Sequence, residues 1–128
     1  MEHRERFMAA LRGQAVDRVP VFPLLMFLAA DRAGVTYRQF ATDGRVLAQA
    51  QLLAQERFGL DAITACSDAF RLSADLGGEM AYPDDKPPYL ARPLVAGAGD
   101  LAALGHPDPA DGRMGDRCLG VREMARAV

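Results

Sequence analysis

Two short, continuous apolar runs, separated by a long helix-forming stretch, constrain this chain more than any other feature. The first is Val19-Pro20-Val21-Phe22-Pro23-Leu24-Leu25 and the second is Leu60-Asp61-Ala62-Ile63-Thr64-Ala65-Cys66. Neither alternates polar with apolar residues, so each predicts a strand buried on both faces, as in a parallel sheet. The prolines mark the beginning and end of the first run. Between the runs, Asp43 is an N-cap for a helix over 44–58 and Gly59 fits its C-terminal cap. Leu47, Ala50, Ala54 and Phe58 line one face of that helix, widened by Val46 and Leu53. Gln49, Gln51, Gln55 and Arg57 are left for the polar side. Strand, long helical crossover and strand make the βαβ signature of an α/β fold.

The remaining elements follow from local signals. A helix is expected over 2–12, with Glu2 four residues before Arg6 as a surface pair, ended by Gly13. Short helices are expected over 26–33, stopping at Gly34, and from a Thr36 cap through Phe40. Residues 69–76 return to helix before Gly77-Gly78, and residues 79–82 and 89–94 pair as a hairpin around Pro83-Asp84-Asp85-Lys86-Pro87-Pro88. From Val95 to Gly112 the chain is rich in Gly, Pro, Ala and Asp, with at most one helical turn near 100–104. A last helix is expected over 118–128.

Composition excludes several functions. With 15 basic and 17 acidic residues dispersed along 128, there is no electrostatic case for nucleic acid or an anionic membrane surface. No apolar run reaches the ~18 residues of a membrane span, and the mixed-charge start Met1-Glu2-His3-Arg4-Glu5-Arg6 leads into no signal core. Cys66 and Cys118 lie far apart, so reduced thiols and a cytoplasmic location are expected.

Few residues stand out chemically. Asp68, at the end of the second run, is the N-cap of a helix starting at Ala69 or a site carboxylate, and the two roles are compatible. Cys66, His106 and Cys118 are zinc-ligand types, but their irregular spacing and the lack of a fourth ligand count against a structural zinc. Cys66 reads as a small buried strand residue. His3 reads as a solvated end residue, and Asp84-Asp85-Lys86 as a turn. Met26 and Phe27, just after the first run, are core residues or the wall of a cavity mouth. Gly77-Gly78 lacks the strand and helix context of a nucleotide site.

The segment Arg4-Glu5-Arg6-Phe7-Met8-Ala9-Ala10-Leu11-Arg12-Gly13, followed by Val16-Asp17-Arg18-Val19-Pro20-Val21-Phe22-Pro23, resembles the opening of the uroporphyrinogen decarboxylase family. The resemblance continues through Gln55-Glu56-Arg57-Phe58-Gly59-Leu60-Asp61-Ala62, Ser67-Asp68 and Pro83-Asp84-Asp85-Lys86-Pro87-Pro88 with Pro93-Leu94. It implies that 1–128 is the N-terminal portion of one (β/α)8 TIM-barrel domain, incomplete here, since that fold takes ~250 residues. Residues 1–18 would be the leading helix and connection, 19–94 the first strands, helices and hairpin, and 95–128 a loop and the start of a further helix. Two buried parallel strands without neighbours would leave open edges, which also points to incompleteness.

The resemblance implies two chemistries. One is cofactor-free decarboxylation of the acetate side chains of uroporphyrinogen. The other is zinc-dependent methyl transfer from a methylated corrinoid protein to a thiol or other acceptor. The decarboxylases carry an Arg-x-x-x-Arg pattern after the first strand, and the matching positions here are Leu25 and Ala29, with Arg32 a turn further on. Forked carboxylate contacts need guanidinium groups, so this departure favours the methyltransferase-like branch. Asp68 matches the family's Ser-Asp aspartate, which faces the site, and Met26 and Phe27 are candidate substrate-wall residues. The zinc ligands of the methyltransferases, a His-x-Cys and a later Cys, belong to the second half of the barrel, so this segment binds no cofactor by itself. Expected partners are a methyl acceptor or a porphyrinogen, a corrinoid protein and a further copy of the chain, with no nucleic acid or membrane. A non-catalytic fragment or assembly partner is the alternative to an enzyme.

Overall fold

Thr36 and Asp43 each begin a helix by accepting backbone N–H groups. The Thr36 hydroxyl takes that of Gln39 at 3.2 Å, and the Asp43 carboxylate takes those of Arg45 at 2.8 Å and Val46 at 3.3 Å. In the computed structural model, which describes residues 1–128, six helices carry most of the chain. They are α1 (His3–Leu11), α2 (Phe27–Ala33), α3 (Tyr37–Thr42), α4 (Gly44–Phe58), α5 (Arg71–Asp75) and α6 (Gly112–Ala127). The hairpin forms as two short antiparallel strands, β1 (Met80–Ala81) and β2 (Tyr89–Leu90), with Met80 opposite Leu90 and Ala81 opposite Tyr89. A 3-10 turn covers Ala98–Ala103.

The core lies where α4 packs against α2, α3 and α6. Ala29, Ala30, Tyr37, Phe40, Ala41, Leu47, Ala48, Ala50, Ala54, Leu60 and Met124 form one buried cluster. Many of these are alanines, so the helices approach closely. At the crossing of α4 and α6, Gly120 lies against the backbone of Gly44. Gly59 closes α4 at φ 62°, the left-handed conformation expected of a glycine cap.

The two apolar runs do not form the expected parallel sheet, and no portion of a barrel is seen. They lie side by side as extended segments joined by one backbone hydrogen bond, from Asp61 N–H to the Val21 carbonyl at 2.9 Å. The physical reason lies in the first run's donors. Pro20 and Pro23 have none, and the N–H of Val21 goes to the Asp61 carboxylate at 2.8 Å instead of to a ladder. The chain is thus mostly helical with a small two-stranded sheet, consistent with part of an α/β domain.

Three further expectations need correction. The last helix begins at Gly112, six residues before Cys118, because the Asp75 carboxylate accepts the N–H groups of Arg113 at 2.7 Å and Met114 at 2.8 Å. A cap supplied from another helix leaves no local signal. In α4, Gln51 is buried and donates to the Leu25 carbonyl at 2.5 Å, whereas Phe58 is 43% exposed. Arg6 is buried rather than paired with Glu2 on the surface, since its guanidinium serves Asp17 and Asp61.

Candidate functional site

Ser67 and Asp68, both buried, stand at the C-terminal end of the second run. Asp68 precedes α5 without being its N-cap: Phe70 holds that place, because α5 starts at Arg71 rather than Ala69. The carboxylate still receives the Phe70 N–H, at 2.9 Å on Oδ1. Arg113, from the first turn of α6, grips both oxygens in a fork, Nη1 to Oδ1 at 2.9 Å and Nη2 to Oδ2 at 2.7 Å. The Ser67 hydroxyl donates to Oδ2 at 2.7 Å. Burial alone would raise the carboxyl's pKa, but Arg113, Ser67 and the Phe70 N–H outweigh it and hold the value below the ordinary range. Asp68 is therefore an ionised carboxylate with two donors on each oxygen. That suits it to fixing neighbours in place, and less to accepting a proton.

A second layer surrounds this pair. The buried Arg71 donates to Ser67 Oγ at 3.0 Å, to the Arg113 carbonyl at 2.7 Å and to Asp116 at 3.0 Å. Arg117 reaches the Asp68 carbonyl at 3.3 Å. Burial lowers the pKa of the Arg71 guanidinium, with the Asp116 hydrogen bond opposing that shift. The Asp116 carboxylate also accepts the N–H of Gly44 at 2.6 Å, tying the start of α4 to α6. Each of the three arginines keeps a buried Nε without a partner.

Met26 and Phe27 meet this end of the second run only through Cys66 and Tyr37. The Tyr37 hydroxyl donates to the Ser67 carbonyl at 2.5 Å, and burial pushes its pKa up to about 12, helped by the Asp68 charge. Phe27 stacks on the Tyr37 ring at 4.2 Å between centroids and 26° between planes. Met26 Sδ lies 3.9 Å from Cys66 Sγ. A cleft of about 500 Å³ opens beside Arg113, walled by Thr42, Ala74, Asp75, Met80, Tyr82 and Asp116 among others. The Arg113 guanidinium sits 5.3 Å from the Tyr82 ring centroid. Asp68 meets this cleft through Arg113, and Met26 and Phe27 are not among its walls.

Sequence reasoning missed Tyr37, Arg71, Arg113 and Asp116. The signal for the last two was the spacing Arg113, Asp116, Arg117 after Asp111-Gly112, which presents three charges on one helical face. Reading the segment as loop concealed it.

A separate polar cluster lies at the other end of the second run. The fully buried Asp61 side chain accepts from Arg6 at 2.6 Å, from Arg18 at 2.7 Å and from the Val21 N–H, with His3 Nδ1 at 2.8 Å. His3 is thus tied into this cluster rather than free in solvent. Burial works against the ionised Asp61, but the Val21 N–H, His3 and the two arginines prevail and keep its pKa far below the ordinary range. Asp17 is likewise depressed by its forked bond from Arg6.

No group of three His, Cys, Asp or Glu side chains converges in a way that could hold a metal ion. Cys66 is half-buried, Cys118 is exposed and both are free thiols. No helix is long and apolar enough to cross a membrane. A protein-family model described as Uroporphyrinogen decarboxylase (URO-D) matches residues 2–128. Comparison with curated proteins gives no match.

Proposed function

Because the chain belongs to the uroporphyrinogen decarboxylase family, we propose that it serves that family's methyl-transfer chemistry, helping to shape the pocket of a methyl acceptor. The carrying observation is the environment of Leu25 and Ala29, the positions that would hold a porphyrinogen's carboxylates. Ala29 is 0% exposed within the core, and Leu25 packs against that core while its carbonyl is taken by Gln51. Neither position can offer a guanidinium fork, and a multiply carboxylated substrate needs several. The arginines around Asp68 do not replace them, because Arg71 and Arg113 are committed to Asp68, Asp116, Ser67 and backbone carbonyls.

In this reading Asp68 is a positioning residue. Its fork to Arg113 fixes the start of α6 against the Ser67-Asp68 turn, while Met26 and Phe27 supply soft and aromatic surface beside Cys66 and Tyr37. The donor would be a corrinoid protein and the acceptor a thiol or similar nucleophile. The zinc implied for this branch does not fit the residues present: no ligand triad converges, and neither histidine stands two residues before a cysteine. No step is derived through it.

The test is a paired assay on the product of the gene's whole reading frame. One arm supplies uroporphyrinogen and resolves the porphyrins formed. The other supplies a methylcorrinoid and a thiol and follows corrinoid absorbance. Methyl transfer without decarboxylation is expected, whereas decarboxylation of uroporphyrinogen would overturn the reading. Sequencing past the Val128 codon gives an independent check: a His-x-Cys and a distal Cys support zinc-dependent transfer, and a continuing frame without them removes it.

A further inference from the structure

Tyr37 is buried and makes three contacts that reach different parts of the fold. Its hydroxyl donates to the Ser67 carbonyl at 2.5 Å, its ring stacks on Phe27, and its backbone N–H donates to the Asp84 carbonyl at 2.8 Å. The last bond follows from its place at the first position of α3, where an amide has no partner inside the helix. Asp84 belongs to the hairpin turn, and the hairpin brings Met80 and Tyr82 into the wall of the cleft beside Arg113. One buried side chain thus joins Phe27, the turn before Asp68 and the hairpin.

The bond to Ser67 bears most directly on Asp68. The Ser67 carbonyl and the Asp68 N–H share one rigid peptide plane, so holding that oxygen limits how the Asp68 Cα can turn. No backbone amide donates to the Ser67 carbonyl. The phenol supplies the restraint that secondary structure does not, because residues 67–70 lie between the second run and α5. The carboxylate end is held separately, by Arg113, the Ser67 hydroxyl and the Phe70 N–H. An aspartate held at one end alone still pivots at the other. Held at both, its oxygens keep one location. The ring of Tyr37 also lies 5.5 Å from that of Phe40, which is fully buried. The phenol therefore cannot swing away from Ser67 without opening a close-packed core.

We propose that Tyr37 is a positioning residue for Asp68, its phenol holding the peptide that carries the carboxylate while its ring sets the place of Phe27. The inference rests on the reading of Asp68 and Phe27 as residues of the methyl-transfer site.

The test uses Tyr37→Phe, which keeps the ring and its stack and loses only the hydroxyl. It is made in the product of the whole reading frame, alone and together with Asp68→Asn. Alone, it should leave the helical circular dichroism unchanged and lower kcat for methyl transfer roughly two- to tenfold, the worth of one hydrogen bond, with KM for the thiol kept. Added to Asp68→Asn, it should lower kcat no further, because the carboxylate it places is already gone. A hydroxyl that serves stability alone would act equally in both backgrounds. Equal losses, or no loss from Tyr37→Phe alone, overturn the proposal. Two results would take activity out of play: a Tyr37→Phe protein that does not fold, or no methyl transfer by the unsubstituted protein, which sinks the reading of the site by itself. The Tyr37 hydroxyl proton of the unsubstituted protein then decides by nuclear magnetic resonance. Slow exchange with solvent is expected, with a resonance that moves in Asp68→Asn. A fast-exchanging proton, or one unmoved by Asp68→Asn, overturns the proposal.

Discussion

Asp61 holds both backbone groups of Val21: its own N–H donates to the Val21 carbonyl at 2.9 Å, and its carboxylate accepts the Val21 N–H at 2.8 Å. One residue of the second apolar run thereby fixes the position of the first. The same carboxylate gathers Arg6, Arg18 and His3, so the leading helix, the following connection and both runs meet at one buried charge.

Asp61→Ala should therefore be among the most damaging single changes. It leaves Arg6 with only Asp17 as a charged partner and strips the acceptor from a part-buried N–H. Removing one member of a buried ion pair costs about 3–5 kcal/mol, a large share of the 5–15 kcal/mol that a domain has. Urea unfolding should show the midpoint falling by that equivalent with α1 released first, seen as faster amide exchange in residues 3–11. A loss under 1 kcal/mol would show that the cluster is solvated in solution.

Acid should weaken the fold through the same groups. The carboxyls of Asp17, Asp61 and Asp68 all lie below their ordinary value in the folded chain. Folded-state values lower than unfolded ones mean that the unfolded chain binds more protons. The stabilisation is present above the unfolded value of about 3.9 and is lost as pH falls through the folded values. Stability should stay level from pH 7 to about 5 and then drop steeply, and less steeply in Asp61→Asn. Tyr37 adds an alkaline limb. Its folded value of about 12 lies above the unfolded value of about 10, so its contribution is full below 10 and fades towards 12. Urea midpoints measured from pH 2 to 12 would check both limbs, and a flat acid side would refute the assignment.

The Asp68–Arg113 fork separates position from chemistry. Arg113→Met removes the guanidinium while keeping an apolar stem, leaving a buried carboxylate with only Ser67 and the Phe70 N–H. A cost of about 3 kcal/mol is expected. Asp68→Asn combined with Arg113→Met should be less damaging than the two single losses added together, since the uncompensated charge is gone. Additive effects in this cycle would mean that the two side chains do not interact in solution.

How much of this was legible beforehand depended on whether a signal was local. The caps at Thr36 and Asp43, the stop at Gly59 and the hairpin at Pro83–Pro88 each rest on residues within a few positions of one another, and the structure has them. The start of α6 was not local: Asp75 caps it from 37 residues earlier, across the fold. The expected parallel strands failed for a related reason. Their apolar composition led to strands buried on both faces, yet the first run leaves Val19, Val21, Phe22 and Leu24 exposed, and Pro20, Pro23 and the Asp61 side chain remove the donors a ladder needs. At the candidate site, Met26 and Phe27 lie outside the cleft's walls, and of the side chains beside it the position of Asp68 at the end of the second run was readable. Arg71 and Arg113 were not, because burying a guanidinium depends on carboxylates and carbonyls that only tertiary structure supplies.

The crossing of α4 and α6 gives a contrast between two glycines. A Cβ on Gly44 would run into the backbone carbonyl of Asp116 and stand 2.9 Å from the amide of Gly120, both backbone atoms that cannot swing aside. A Cβ on Gly120 would meet the Gly44 carbonyl at 3.1 Å and its Cα at 3.5 Å, crowding that a slight shift of α6 can relieve. Gly120 also lies inside a helix, where alanine gains about 1 kcal/mol over glycine. Gly120→Ala should therefore be close to neutral. Gly44→Ala should cost about 1–3 kcal/mol, the usual range for overpacking, and should also lengthen the Gly44 N–H bond to Asp116. Urea midpoints of the two variants, with amide exchange at Gly44, would check this. Equal effects would mean that the helices cross farther apart than the structure has them.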